Sequence, residues 1–221
     1  MITLVCLDMA GTTVQDDGAV LAAFDAALAA AGIEPGSPDH DRGRQHAIDT
    51  MGQSKIEVFR AILGADEARA QQANQAFEAA YGDCVEQIRP IPGAAETIGK
   101  LRAGGRHVVL TTGFSPITRD RILDALGWRE LVELALSPAD AGRGRPHPDM
   151  LLTALLRTGT GAVQEIAAVG DTTSDLLAGY RAGAGIVAGV RTGAHTDTEF
   201  ATVPHTHVLD SVADLPAVIE A

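Results

Sequence analysis

The stretch Leu4-Val5-Cys6-Leu7-Asp8-Met9-Ala10-Gly11-Thr12-Thr13 constrains the fold of this chain more than any other. A short apolar run ends in a carboxylate, and small turn-forming residues follow at once. Such a run fits a buried parallel strand that delivers Asp8 to its carboxyl end, where open α/β sheets place their ligands. Ala10 is the unusual residue here, because a methyl group two positions after Asp8 can neither give nor take a proton.

The rest of the chain supplies partners for that strand. After a polar step at Gln15-Asp16-Asp17-Gly18, the pattern turns helical. Val20, Leu21, Phe24, Ala27 and Leu28 recur at helical spacing, as do Ile56, Val58, Phe59, Ile62 and Leu63, and Ala68 to Ile88 reads as one long helix carrying Cys84. Arg89-Pro90-Ile91-Pro92-Gly93 is a natural linker. Beyond it, strands at Val108–Leu110, Leu134–Leu136, Ile166–Val169, Gly185–Val190 and His207–Leu209 alternate with helices at Pro116–Leu126, Asp149–Leu156 and Thr173–Ala182. This alternation predicts a doubly wound parallel sheet. Residues 1–15 and 90–221 are then the catalytic core, and residues 16–89 a helical cap inserted after the first strand.

Composition narrows the partners. The formal net charge of −12 argues against nucleic acid or an anionic membrane as the main partner. An anionic substrate would have to be drawn by local features such as a metal ion, helix N-termini or placed arginines. Aromatics make up only 4% of the chain, so Ala, Leu and Val carry most of the packing. The lack of a leader-like or membrane-spanning run, with Cys6 and Cys84 as reduced thiols, predicts a cytoplasmic protein.

Four strand ends carry chemistry-bearing residues. Asp8 before Gly11-Thr12-Thr13 can act as a nucleophile toward phosphorus while nearby N–H groups hold the phosphoryl oxygens, or it can cap a turn. Thr112-Gly113 after the second strand, with a helix opening near Pro116, can bind a phosphate oxygen, or simply cap that helix. Gly142-Arg143-Gly144-Arg145-Pro146-His147-Pro148 offers a fixed cation in a stiff loop, with a surface turn around His147 as the plainer alternative. Asp171 and Asp175, four residues apart after a strand, suit Mg²⁺, though capping aspartates have the same look.

Taken together and in this order, the four loops resemble the haloacid dehalogenase superfamily of aspartyl phosphohydrolases. The resemblance implies a Rossmann-like core with Asp8 as nucleophile. It also implies Mg²⁺ held by Asp8, the backbone oxygen of Ala10 and Asp171, with Asp175 in support. Gly11, Thr12, Thr112, Gly113 and Arg145 would hold the phosphoryl group.

Most members have aspartate where Ala10 stands, as a general acid–base worth about 10²–10⁴-fold. The run Asp8-Met9-Ala10-Gly11-Thr12-Thr13 and arginine at position 145 are similar to the phosphonatase (phosphonoacetaldehyde hydrolase) branch. There a cap lysine condenses with the substrate aldehyde, and the iminium draws electrons from the carbon–phosphorus bond. Met51-Gly52-Gln53-Ser54-Lys55 resembles the branch's Met-Gly-x-x-Lys cap motif, making Lys55 the candidate amine and Met51 and Gly52 pocket residues. The chain has two lysines against fifteen arginines, and only a primary amine forms an imine. Ser54 is placed to cap the helix that starts there, and a positive helix end beside apolar Met51 would lower the amine pKa.

Two positions depart from the branch: Val58 stands for its histidine and Phe114 for its tyrosine. Three readings therefore stay open: cleavage of a small carbonyl phosphonate, hydrolysis of a small phosphate ester using another acid, and an inactive phosphate-binding regulatory protein. Dehalogenation leaves Asp171 and Asp175 unexplained. The helix from Val20 could present a cap-to-cap homodimer face or serve internal packing.

Overall fold

The computed structural model describes residues 1–64 and 66–220. Its strands are β1 (Leu4–Asp8), β2 (His107–Thr111), β3 (Leu134–Leu136), β4 (Ile166–Gly170), β5 (Ile186–Val190) and β6 (His207–Leu209). They form one sheet in the order β3-β2-β1-β4-β5-β6, with every pairing parallel. The order reverses between β1 and β4, the switch point at which doubly wound sheets open a ligand crevice. In β1, Leu4 and Cys6 join Val109, Met150 and Ala168 on one face, while Val5 and Leu7 join Ile98, Val108 and Val169 on the other. That two-residue alternation with both faces buried is why the run reads as continuously apolar.

Four helices lie between β1 and β2: α1 (Ala19–Ala30), α2 (Pro38–Asp49), α3 (Lys55–Leu63) and α4 (Glu67–Gly82). The chain leaves and re-enters the core side by side. Gln15 N–H donates to Arg89 O (2.8 Å) and Ile91 N–H to Thr13 O (2.9 Å). Val20, Ala23, Phe24, Ala27 and Leu28, the apolar stripe of α1, are all buried within the chain. Phe24, Phe59 and Phe77 form the centre of these helices, with ring centroids 4.9 to 6.2 Å apart. Phe114 of the core packs on Phe77 and Tyr81 at 6.3 and 4.5 Å, so the scarce aromatics also join the inserted helices to the sheet.

The flanking helices are α5 (Ala94–Ala103), α6 (Pro116–Leu126), α7 (Pro138–Ala141), α8 (Asp149–Thr158), α9 (Thr173–Ala182), α10 (Asp197–Phe200) and α11 (Leu215–Glu220). Two sequence expectations need correction. The helix expected over Ala68–Ile88 ends at Gly82, a poor helix residue whose carbonyl accepts from the Arg121 guanidinium (2.7 Å). Half-buried Cys84 follows it, and a short 3₁₀ turn covers Val85–Gln87. Helix α2 was invisible to periodicity because it is polar and buries little beyond His40, Gly43 and Ala47. Ser37 caps it by accepting the His40 N–H (3.2 Å), with Pro38 in its first turn. Among the described residues no helix is long and apolar enough to cross a membrane.

Candidate active site

The carboxyl ends of β1, β2 and β4 bring three loops together. In the β1–β2 register Asp8 stands opposite Thr111, and in the β1–β4 register Leu7 stands opposite Val169, so Asp8 and Asp171 straddle the switch point. A cavity of about 30 Å³ lies above them, lined by Asp8, Ala10, Val20, Met51, Gly52, Lys55, Thr112, Gly113, Phe114, Arg145, Asp171 and Thr172. Core loops supply the carboxylates, the hydroxyls and the guanidinium, and the inserted helices supply the amine. The void has room for a water or two and not for a substrate. A cleft of about 660 Å³ begins at the same Lys55, Gly113, Phe114 and Arg145 and runs outward between inserted helices and core.

Arg145 organises the floor. It contacts Asp8 Oδ1 at 2.6 Å through Nη1, Asp175 Oδ1 at 2.8 Å through Nε, and the Thr111 hydroxyl at 2.7 Å through Nη2. All three charged groups are buried. Burial pushes the Asp8 carboxyl up to about 7; Arg145 pulls it down and the charge of Asp175 pushes it up. Asp171 is raised well above the carboxylate range by burial and by the charges of Asp8 and Asp175. Two buried carboxylates thus share one guanidinium with a third, Asp171, close by, and the surplus negative charge is what a divalent cation would neutralise.

Mg²⁺ fits this donor set. Hard carboxylate oxygens of Asp8 and Asp171 face the crevice, and among the described residues no three His, Cys, Asp or Glu side chains form a closed cage. An ion that keeps most of its waters and takes one or two carboxylates matches that inventory. Asp175, expected in support of the metal, has two partners of its own. One of its oxygens pairs with Arg145 and the other accepts from Thr172 N–H (3.2 Å) in a capping box for α9, so it positions the guanidinium and the helix.

Gly11 and Thr12 differ from the sequence expectation. Their N–H groups, expected for phosphate, donate instead to Val14 O (2.7 Å) and Met9 O (3.2 Å), and neither residue lines the cavity. Gly11 has φ +88°, and a Cβ there would run into the Asp171 carboxylate. The Thr12 hydroxyl donates to Asp171 Oδ1 (3.3 Å). Asp171 Oδ2 accepts from Ala194 N–H (2.7 Å), and the Thr192 hydroxyl donates to Gly11 O (2.6 Å). This loop after β5 was not singled out from the sequence. Its signal was there all the same: Thr192-Gly193 follows a strand just as Thr112-Gly113 does.

Lys55 opens α3 and is 6% exposed. Its Nζ lies 5.4 Å from the ring centroid of Phe24, 5.7 Å from Phe77 and 5.4 Å from Phe114. Among the described residues no carboxylate forms an ion pair with it. Burial brings its pKa down from 10.5 to about 8, against the opposing charges of Asp8 and Asp16. Ring faces attract an ammonium, by about 0.5–2 kcal/mol each, but solvate it far less than water. Ser54 occupies the N-cap position without a side-chain cap hydrogen bond, so the expected cap is not formed. Gly52-Gln53-Ser54 presses on the core instead: a Cβ at Gly113 would collide with the Gln53 carbonyl oxygen. Glu78 of α4 accepts from the Ser115 hydroxyl (2.5 Å) and from Thr118 at the start of α6.

Comparisons with known proteins bear on the fold and the family. A family model described as haloacid dehalogenase-like hydrolase matches residues 2–183. A Dickeya dadantii protein named "Probable phosphatase IndB" is 28% identical, over 99% of this chain and 94% of its own length. A Bacteroides fragilis phosphonoacetaldehyde hydrolase is 29% identical over 97% and 87%. A solved hydrolase from Pseudomonas syringae superposes with a TM-score of 0.87, covering 100% of this chain and 98% of that one at 21% identity.

Proposed function

The chain belongs to the haloacid dehalogenase-like hydrolases, and from that premise we propose that it cleaves the carbon–phosphorus bond of phosphonoacetaldehyde or a related small carbonyl phosphonate. In this reading residues 16–89 are a cap closing over the core, and Lys55 is the cap's chemical contribution. The observation that carries it is a single cavity lined by both Asp8 and Lys55, the latter a caged primary amine with its pKa near 8. A neutral amine attacks carbonyls, and burial supplies it near neutral pH.

The Lys55 Nζ adds to the substrate carbonyl, and loss of water leaves an iminium. A carboxylate oxygen of Asp8 attacks phosphorus, and the carbon–phosphorus pair moves onto carbon, giving an enamine. No proton is needed at that moment, which suits the methyl of Ala10. Protonation at carbon and hydrolysis release acetaldehyde and free Lys55; water then releases phosphate from Asp8. Arg145, Thr112 and Gly113 hold the phosphoryl oxygens. Mg²⁺, held by Asp8, Asp171 and the Ala10 backbone oxygen, would supply charge neutralisation as phosphoryl charge approaches the carboxylate.

A second reading is favoured by Val58 and Phe114, which offer no polar hydrogen near the amine, and by the relative named a phosphatase. Here the substrate is a small phosphate ester and a group other than Lys55 protonates the leaving oxygen. Phosphonoacetaldehyde and Mg²⁺ with the wild type and Lys55→Arg separate the two. Acetaldehyde and phosphate release that vanishes in the variant supports the imine route. Phosphate release from simple esters alone, surviving in Lys55→Arg, would sink it.

A further inference from the structure

Helix α4 meets the core along one side. Phe77 with Tyr81, and Glu78 with Gly82, are pairs four residues apart, so the four make adjoining rows on the helix. Phe77 and Tyr81 pack on Phe114 at 6.3 and 4.5 Å. The Glu78 carboxylate accepts from the Ser115 hydroxyl (2.5 Å) and from that of Thr118, and the Gly82 carbonyl accepts from Arg121 (2.7 Å). Among the described residues, Glu78 is the one side chain of residues 16–89 that hydrogen-bonds to the rest of the chain.

The segment that Glu78 grips carries the site. Ser115 directly follows Phe114, whose ring lies 5.4 Å from the Lys55 Nζ, and Thr112, Gly113 and Phe114 line the small cavity with Asp8 and Lys55. Glu78, Ser115, Phe114 and Lys55 also share the wall of the cleft of about 660 Å³ that leads outward. The inner void is too small for substrate, so this seam has to part on entry. A carboxylate–hydroxyl contact suits a seam that opens: charge makes it stronger than a neutral bond, and water satisfies both partners when it breaks.

We propose that Glu78 is a positioning residue: by accepting from Ser115 and Thr118 it seats Phe114 against Lys55 and latches the inserted helices shut over Asp8. The latch releases to admit substrate and re-forms behind it, which returns the amine to its ring cage. The proposal rests on the reading of residues 16–89 as a cap that carries the reactive amine.

Charge and position can be told apart here, because they have opposite signs. Asp8, Asp16 and Glu78 face the Lys55 ammonium as opposite charges and Arg145 as a like charge, while Glu57 and Arg60 of its own helix pair with each other. Deleting the Glu78 charge alone would lower the amine pKa, whereas water let in past Phe114 would raise it.

The test uses the full-length protein as wild type, Glu78→Ala, and the double variant Ser115→Ala with Thr118→Val, which removes both donors and keeps the charge. Trinitrobenzenesulfonate at pH 10 labels the chain's two lysines, read separately by mass spectrometry of their peptides. Lys55 is caged, and exposed Lys100 on α5 is the internal reference. Relative to Lys100, Lys55 should label about tenfold faster in both altered proteins, the scale of a lost charge-assisted hydrogen bond. Ser115 also caps α6 by accepting the Thr118 N–H (3.2 Å), so Thr118→Val alone, which spares that bond, should shift labelling the same way. The second readout is borohydride trapping of the imine formed with phosphonoacetaldehyde, whose pH midpoint should move up from about 8. Unchanged Lys55 labelling, or equal acceleration of both lysines, overturns the latch. A midpoint that falls in Glu78→Ala and stays put in the double variant also overturns it, because Glu78 would then act by charge alone. If the wild type traps no adduct, the imine reading fails by itself, and labelling still decides whether Glu78 holds the seam closed.

Discussion

Arg145 contacts Asp8 at 2.6 Å with one nitrogen and Asp175 at 2.8 Å with another, so one guanidinium serves two buried carboxylates. Removing it leaves Asp8 and Asp175 without the cation they contact, with Asp171 close by. Arg145→Gln is expected to destabilise the fold by about 3–5 kcal/mol at pH 8, read by urea denaturation. The loss should shrink at pH 5, where the raised pKa values of Asp8 and Asp171 let those two acids take up protons. An equal loss at both pH values would mean that packing, not charge, holds this loop.

Burying the Lys55 ammonium costs stability. Its fall from 10.5 to about 8 means that keeping the ammonium form in the folded state costs on the order of 3 kcal/mol. Lys55→Met should therefore raise stability at pH 7 while abolishing imine trapping. A folded pKa below the unfolded one makes wild-type stability climb between about pH 8 and 10.5, so the advantage of methionine should fade across that window. Denaturation curves at pH 7 and 10 decide it.

The rate of imine trapping should rise with pH to a midpoint near 8, because the attacking amine must be neutral. A midpoint near 10 would show that burial does not tune the amine.

Mg²⁺ should stabilise the protein more at pH 8 than at pH 5. Asp8 has a folded pKa of about 7, above its ordinary 3.8, so its contribution to stability is full at low pH and is lost as pH rises through 7. A cation restores that loss when the acids are ionised and competes with protons when they are not. A saturating excess of 100 Kd contributes about 2.7 kcal/mol. Asp171→Asn should remove most of the rise in Tm; an unchanged rise would move the metal elsewhere.

Gly113→Ala puts a methyl group against the Gln53 carbonyl oxygen, which belongs to backbone and cannot swing aside. The expected outcome is the Gly52-Gln53-Ser54 loop held off the core, with KM for the substrate raised about tenfold and global stability nearly unchanged. Tight binding in the variant would show that Gly52-Gln53-Ser54 moves freely.

Much of this protein follows from local pattern. The apolar run ending at Asp8, the repeats of strand and helix, and the four loop signatures are short-range features, readable because burial on both faces of a parallel strand and helix periodicity leave marks within a few residues. Helix α2 escaped because its caps, not an apolar stripe, define it, and Gly82 ended α4 through a carbonyl bond from a distant arginine. The tertiary structure decided which groups each candidate site residue meets. Gly11 and Thr12 meet Asp171 and the turn, Asp175 meets Arg145, and Lys55 owes its lowered pKa to burial among rings from α1, α4 and the loop after β2. Those roles depend on charges and surfaces brought together from positions far apart in the chain. Desolvation and Coulomb interactions exist between such groups once the chain has folded, and no local pattern encodes them.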